Sequence, residues 1–425
     1  MRRPRNHRVT WSALVVAATL CVSTAAVSAP ADGAASSKVW TTSPAYGVLD
    51  HGIDGDTEAI TVEGDGGGTP PAHVRNAGIQ AMETGQCHAA QAAATMTSLT
   101  AGRRLRMSTT SVALASQGRP VRHVDAWNGS TWVDVQQAML SQGQALPLPG
   151  MGDTTRWRAY ATAAQQAALR GAGLFDRDLC RPGPSQSTPL RLWVNYDGNG
   201  DESTNPNTEY VRVLNSSTTP LPVGGWWIRT AAQDTFVLPK GSVVPAGGLL
   251  TLRVGKGTNS ATRLYWGNSG PKFSNVDLTR NIYGGGAYLF DPDGDVRAWS
   301  MYPCLTGCSD ARAGRLSISV RADAEGTDAA NVNGEYIRIA PSGVAQVDLS
   351  WTVVSTNGFT YEFPRGTVVR AGEVLTLHAG KGSTTRLRQY WGNSGPILVN
   401  AGQRVEVRTP TAIRLGCRAW GTGRC

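Results

Sequence analysis

Apolar and polar positions alternate along the chain in two different ways. Between residues 38 and 180, short alternating runs carry Ile53, Ile60, Val62, Val74 and Ile79, a period of two that predicts strands of a small barrel. An Ala-rich stretch from Glu83 to Thr100 follows and predicts a helix that ends near Gly102. Arg104 to Met107 and Val112 to Leu114 again read as strands, and Asn128-Gly129 predicts a hairpin between Trp127 and Val133. Two helices close this part. Asp134 is placed to cap Val135 to Gln142, and Asp153 to cap Thr154 to Arg170, with Gly143 and then Gly171 and Gly173 as stops.

The second pattern begins after Arg181-Pro-Gly-Pro-Ser-Gln-Ser-Thr-Pro, a Pro/Ser-rich linker. From residue 188 onward the chain holds short alternating strands between Gly, Pro and Asn turns, and it repeats itself. Glu209-Tyr-Val-Arg-Val answers Glu335-Tyr-Ile-Arg-Ile, and Val237-Leu-Pro-Lys-Gly-Ser-Val-Val-Pro-Ala-Gly answers Glu362-Phe-Pro-Arg-Gly-Thr-Val-Val-Arg-Ala-Gly. Tyr265-Trp-Gly-Asn-Ser-Gly-Pro271 recurs unchanged at Tyr390 to Pro396. The offset of about 125 residues is domain-sized, so the repeat predicts two tandem β-sandwiches rather than a solenoid.

Composition and charge refine this picture. With 50 Gly, 23 Pro and 13 Trp in 425 residues, of which 17% are charged, the chain reads as turn-rich and mainly β rather than disordered. Residues 1–29 read as a secretory signal peptide. Arg2, Arg3, Arg5 and Arg8 form the basic region, Trp11 to Val27 the apolar one, and Val27-Ser28-Ala29 the cleavage site. Residues 30–37 read as a linker. The formal charge of +9 is unevenly placed: residues 38–180 carry eleven Lys/Arg against twelve Asp/Glu, and residues 181–425 carry 25 against 18. A strong polyanion binder concentrates positive charge at its site, and the N-terminal part does not.

Six cysteines remain beyond the signal peptide, an even number in a chain that reads as exported, which favours disulfides. Fifteen pairings are open. Proximity in sequence favours Cys304 with Cys308 and Cys417 with Cys425, which leaves Cys87 with Cys180. A zinc site is the competing reading, but no Cys-x-x-Cys pair or His cluster accompanies these cysteines.

The candidate chemistry lies between Gly52 and Glu83. Asp54, Asp56, Arg75 and Glu83 fall close together, and carboxylates beside an arginine suit metal-assisted phosphodiester cleavage: a cation neutralises the phosphate, a carboxylate orients water, and the arginine steadies developing charge. Against this stands an Asp-Gly turn flanked by solvated surface charges. Gly52-Ile-Asp-Gly-Asp-Thr, followed by Arg75 and Glu83, resembles the thermonuclease (staphylococcal-nuclease-like) family. By that resemblance Asp56 matches a metal ligand, Arg75 and Glu83 catalytic residues, and Arg119 of the Gly-Arg pair the second catalytic arginine, with Arg122 its nearest competitor. Gln80 stands where the family has its second metal-ligand aspartate, and Met82 where it has proline. The family implies an OB-type barrel, Ca2+ as cofactor, and DNA or RNA as substrate.

The two C-terminal copies resemble lamin-tail domains through the Glu-Tyr-(Val/Ile)-Arg-(Val/Ile) strand, Gly225-Trp226-Trp227 and the (Phe/Leu)-Pro-x-Gly turn. That resemblance implies immunoglobulin-like sandwiches and an interaction role. Asp197-Gly-Asn199-Gly-Asp201 has the oxygen spacing of a calcium loop, or of an ordinary polar turn; it lacks the remaining loop ligands, including a Glu at the twelfth position.

The expected chain is therefore a mainly β, multidomain, secreted protein. An OB-type barrel with helices at 38–180 is followed by a linker at 181–187, a sandwich at 188–308, a linker at 309–315 and a second sandwich at 316–425. Two functions are open. One is a calcium-dependent phosphodiesterase on extracellular nucleic acid, with Asp56 and Gln80 toward the metal and Arg75, Glu83 and Arg119 catalytic. The other is a non-catalytic extracellular protein that binds a cell-surface or matrix component.

Overall fold

In the computed structural model the alternating runs of the N-terminal part close into a ring. The residues described are 40–149, 153–181, 189–277 and 282–425; the expected signal peptide, the first linker and residues 182–187 of the second lie outside them. Strands β1 (Ala45–Gly52), β2 (Thr57–Val62), β3 (Ala72–Asn76), β5 (Arg104–Ser108) and β7 (Arg119–Trp127) form the ring, with the short β4 (Ile79–Gln80), helix α1 (Ala89–Thr100) and β6 (Ala115–Ser116) between them. β1 pairs antiparallel with β2 and β5, β2 with β3, and β5 with β7. A parallel step, Arg75 opposite Val121 and Asn76 opposite Arg122, joins β3 to β7 and closes a five-stranded barrel. β8 (Trp132–Asp134) extends β7, and α2 (Val135–Ser141), β9 (Leu146–Pro147) and α3 (Trp157–Arg170) complete the unit. Asp134 caps α2 by accepting Gln137 N–H at 2.9 Å.

Ile60, Val62, Val74, Ile79, Leu105 and Met107 all point inward, each such side chain contributing about 1.5–3 kcal/mol relative to exposure. Ile53 does not join them; it is 39% exposed at the end of the β1 turn. α1 starts at Ala89 rather than Glu83, because Gly85 and His88 take left-handed backbone (φ 88° and 72°) that breaks the helix there. α3 starts at Trp157, since Asp153 accepts N–H groups from Thr110 and Thr155 and holds the preceding turn instead. The Val112 to Leu114 stretch is a turn, and only Ala115–Ser116 pairs with β7.

Each C-terminal copy is built from two four-stranded sheets with the same topology. In the first, Leu190–Asn195, Tyr210–Asn215, Leu249–Arg253 and Arg263–Tyr265 form one sheet, and Thr235–Val237, Trp227–Thr230, Gly285–Phe290 and Val296–Tyr302 the other. In the second, the corresponding strands are Leu316–Arg321, Tyr336–Pro341, Leu375–His378 and Arg388–Tyr390, then Phe359–Glu362, Val353–Thr356, Gly402–Arg408 and Arg414–Gly421. In both copies the last strand of the first sheet adds in parallel. The identical Tyr-Trp-Gly-Asn-Ser-Gly-Pro segments follow that strand and return the backbone to a buried acid. Glu209 accepts Lys272 N–H and Phe273 N–H at 2.7 and 3.3 Å, and Glu335 accepts Ile397 N–H and Leu398 N–H at 2.8 and 3.1 Å.

The barrel and the first sandwich share one apolar core, in which Ala231, Tyr288, Phe290, Val296 and Met301 join Met82, Leu174 and Phe175. Phe175 packs against the rings of Tyr288 and Trp299. Buried Gln165 clasps the loop after the first sandwich, donating to Pro303 O and accepting Leu305 N–H and Thr306 N–H. Cys87 is bridged to Cys180, and Gly294 lies so near that a Cβ there would sit 3.0 Å from that of Cys87. Cys304 is bridged to Cys308 and Cys417 to Cys425. No helix among the described residues is long and apolar enough to cross a membrane.

Glu209 gives this architecture a pH signature. Burial pushes its carboxyl from 4.5 up to about 8, against the two N–H bonds that favour the charged form. Between those values the folded chain keeps a proton that the unfolded chain has lost, so stability falls as pH rises through the window and the contribution is gone above it. Thermal melts are expected to show this fall between about pH 5 and pH 9. Glu209→Gln should be about 1 kcal/mol less stable at the acid end, because its N–H faces another donor, and its melting temperature should vary less with pH. Parallel pH slopes for the two proteins would rule Glu209 out as the source.

Candidate functional site

Arg75 is the centre of the barrel's cleft and is only 2% exposed. Its guanidinium is surrounded by acceptors from three segments. Nε faces Asp56 Oδ1 at 3.2 Å. Nη1 donates to the Asp56 and Asn76 carbonyls at 3.3 and 2.7 Å, and Nη2 to the Ile79 carbonyl at 2.8 Å and to Gln80 Oε1 at 2.5 Å. A guanidinium has five N–H groups in a rigid fork; the two Nη groups make four hydrogen bonds within the chain, and Nε faces the Asp56 carboxylate as an ion pair.

Asp56 is equally committed. Oδ1 also accepts the Thr57 hydroxyl at 3.2 Å, and Oδ2 accepts Ala81 N–H at 2.9 Å. Burial raises its carboxyl to about 6, with Arg75 opposing the rise, and burial lowers Arg75 in turn. Near neutral pH the two form a buried ion pair. Gln80 Nε2 donates to Glu83 Oε1 at 2.9 Å, and Glu83 is exposed. Arg119 donates to Ser116 O, Thr57 Oγ1 and Gln117 Oε1 at 3.3, 3.1 and 3.0 Å, so three of its five N–H groups are engaged. Arg122, the rival for its role, is buried elsewhere, donating to Val121 O and stacking over Trp40.

Asp56, Arg75, Gln80, Glu83 and Arg119 thus line one cavity of about 510 Å³, together with Asp54, Gln117 and Leu148. The donors there do not suit calcium. A hard cation asks for six to eight oxygens, several of them charged, whereas the Asp56 carboxylate and the Gln80 carbonyl oxygen already receive N–H and O–H donors from the chain. Among the described residues no three His, Cys, Asp or Glu side chains gather as a metal site.

Two residues of the first sandwich that sequence reasoning missed belong to this site. Gln233 lines the cavity with Ala232, and its Nε2 donates to Gln80 Oε1. Arg229 is 5% exposed at the seam, with Nη1 3.6 Å from the Met82 sulfur. The signal that could have found Gln233 is in the repeat itself: the first copy reads Ala231-Ala232-Gln233-Asp234 where the second has only Asn357-Gly358.

Residues 193–303 and 309–415 each match the family model of the Lamin Tail Domain, and the two stretches cover just over half of the chain. The chain belongs to the lamin tail domain family. No curated protein matches it. The matched stretches are the two sandwiches; the barrel lies outside them.

The two lamin tail domains are joined through the Asp197-Gly-Asn199-Gly-Asp201 segment, which is a polar turn and not a cation loop. Asp197 pairs with Arg408 at 3.1 Å. Asn199 Oδ1 accepts the Trp391 indole N–H at 3.0 Å and Thr360 N–H at 3.2 Å, and Gly200 N–H donates to Gly358 O at 3.0 Å. Asp201 turns away to cap Ser203. Arg212 pairs with Glu362 at 2.5 Å beside it. Each lamin tail domain therefore grips the module before it with the same hairpin of its second sheet.

Arg75 is expected to behave as a structural residue. Arg75→Ala leaves the Asp56 carboxylate buried and unpaired, which costs about 3–5 kcal/mol, and Arg75→Lys should recover little because one ammonium cannot satisfy a five-donor fork. Exposed Glu83→Gln should change stability by less than about 0.5 kcal/mol. Chemical denaturation of the full chain checks this ordering, and an Arg75→Ala protein as stable as wild type would contradict it.

Proposed function

We propose that this is a non-catalytic extracellular binding or structural protein, in which two lamin tail domains carry the interactions and the barrel is their rigid scaffold. The observation that carries this reading is buried Arg75, whose two Nη groups make four hydrogen bonds to the chain's own acceptors while Nε faces the Asp56 carboxylate as an ion pair, so that the guanidinium is already committed within the chain. The near-neutral charge of residues 38–180 points the same way. We read the barrel as an OB-type, thermonuclease-like module at 38–180 that has lost its metal chemistry, with Gln80 marking the loss, and the sandwiches at 188–308 and 316–425 as immunoglobulin-like. Three disulfides fit an oxidising compartment and hence export. The partner is a cell-surface or matrix component bound through the lamin tail domains.

A second reading, a phosphodiesterase acting on extracellular DNA or RNA, is favoured by one observation: Asp56, Arg75, Gln80, Glu83 and Arg119 line a single cavity.

Cleavage assays separate the two. The purified full chain, incubated with single-stranded DNA, double-stranded DNA or RNA and calcium, is expected to leave all three intact. Calorimetric titration should detect no calcium binding to wild type, and none to Gln80→Asp, because the neighbouring Asp56 oxygens stay occupied. Calcium-dependent cutting that disappears in Glu83→Gln would establish the second reading in place of the first.

A further inference from the structure

The duplicated domains supply an internal comparison. In the second, Val353–Thr356 and Phe359–Glu362 are joined by Asn357 and Gly358 with φ of 43° and 81°, the two-residue turn that closes a hairpin most simply. In the first, Trp227–Thr230 and Thr235–Val237 are joined by Ala231, Ala232, Gln233 and Asp234. By the register, Trp227 opposite Val237 against Val353 opposite Glu362, the first hairpin is one residue longer than a simple reversal needs. The longer loop carries Gln233 into the barrel's cleft.

The longer hairpin is held firmly. Thr230 N–H donates to Asp234 O at 2.9 Å, and Asp234 N–H to Thr230 Oγ1 at 3.2 Å. Lys272 pairs with Asp234 at 2.6 Å. Ala231 is buried in the core shared with the barrel. Gln233 itself has φ of 75°, a left-handed backbone that costs a non-glycine residue about 1 kcal/mol or more. The turn sets that conformation, since Gln233 N–H donates to Thr230 O at 3.1 Å and the last residue of a three-residue hairpin loop takes left-handed backbone; it directs the side chain to Gln80. A carbonyl oxygen has two lone pairs, and on Gln80 Oε1 one receives Arg75 Nη2 and the other Gln233 Nε2.

We propose that Gln233 is a plug: the elongated hairpin of the first lamin tail domain seats its amide on Gln80, takes the second acceptor position of Gln80 Oε1 and closes that side of the cleft against ligands. This rests on reading the barrel as a retired phosphodiesterase, whose cleft has no substrate to admit. Arg119 and exposed Glu83 stand at the side that remains open.

The test uses the full chain with its disulfides intact. Leu148, 4% exposed in the cleft wall, is replaced by cysteine (Leu148→Cys) in three backgrounds: otherwise wild type, Gln233→Ala, and Gln233→Glu. The last keeps the size of the side chain but has no N–H for Gln80. Iodoacetamide labelling of Cys at this position is expected to run about tenfold faster or more in both Gln233 backgrounds, since the barrier to reaching the cleft is the plug's local opening. Melting temperatures within a few degrees of one another would show that the domain remains docked. Labelling as slow in both Gln233 backgrounds as in wild type overturns the plug. A parallel arm adds a fluorescein-labelled single-stranded DNA 12-mer with calcium to Gln233→Ala lacking the cysteine. Faster labelling with intact DNA keeps both the plug and the non-catalytic reading; faster labelling with cut DNA keeps the plug and overturns the non-catalytic reading.

Discussion

The buried Arg75 guanidinium sets the shape of everything near it. Its donors reach the Asp56 carboxylate and the carbonyls of Asp56, Asn76 and Ile79, so it ties the turn after β1 to the turn between β3 and β4. In a low-dielectric interior such a fork must be fully matched or it is costly. Matching it determines where Gln80 and Ala81 lie, and through the Gln80 amide where Glu83 is held. An arginine that grips a ligand must keep donors unmatched until the ligand comes. In this chain four Arg75 donors are matched by hydrogen bonds and Nε is paired with Asp56, an arrangement that suits a staple.

The second constraint is the seam between modules. A Pro/Ser-rich linker ordinarily suggests independent motion. Here the barrel and the first lamin tail domain are continuous through the core around Phe175, Tyr288 and Met82, and Gln165 and Asp295 tie loops across the seam. The second lamin tail domain docks on the first through Asn199, Trp391 and the Arg212–Glu362 pair. Polar contacts dominate that joint, whereas apolar packing dominates the seam with the barrel.

Much of the architecture could be read from residue order. Alternation at Ile60, Val62, Val74 and Ile79 placed barrel strands, and the recurring Glu-Tyr and Tyr-Trp-Gly-Asn-Ser-Gly-Pro segments placed two equivalent sandwiches, because period and repetition are local properties. What escaped depends on groups distant in sequence. The matching of Arg75 is a matter of backbone carbonyls, which every residue has and no motif marks. Gln233 acts on a residue more than a hundred positions earlier. The late start of α1 follows from left-handed His88 beside the Cys87 bridge, and the exposure of Ile53 from a turn that carries it off the barrel wall. Asp197 and Asn199 have the spacing of cation ligands, but their oxygens are taken by Arg408 and Trp391, side chains of another domain.

The gripping hairpins also make the modules non-interchangeable. Both copies descend from one pattern, yet each presents a different face at the same structural position: four residues ending in Gln233 and Asp234 where the neighbour is a barrel, and Asn357-Gly358 where the neighbour is another sandwich. Transposing the two copies would bring a short turn to a deep cleft and a long one to a shallow loop, with Arg229 and Glu362 each facing the wrong surface. The linear arrangement of this chain is thus written into its hairpins, and a library of shuffled modules would recover only those orders in which each turn meets its own predecessor.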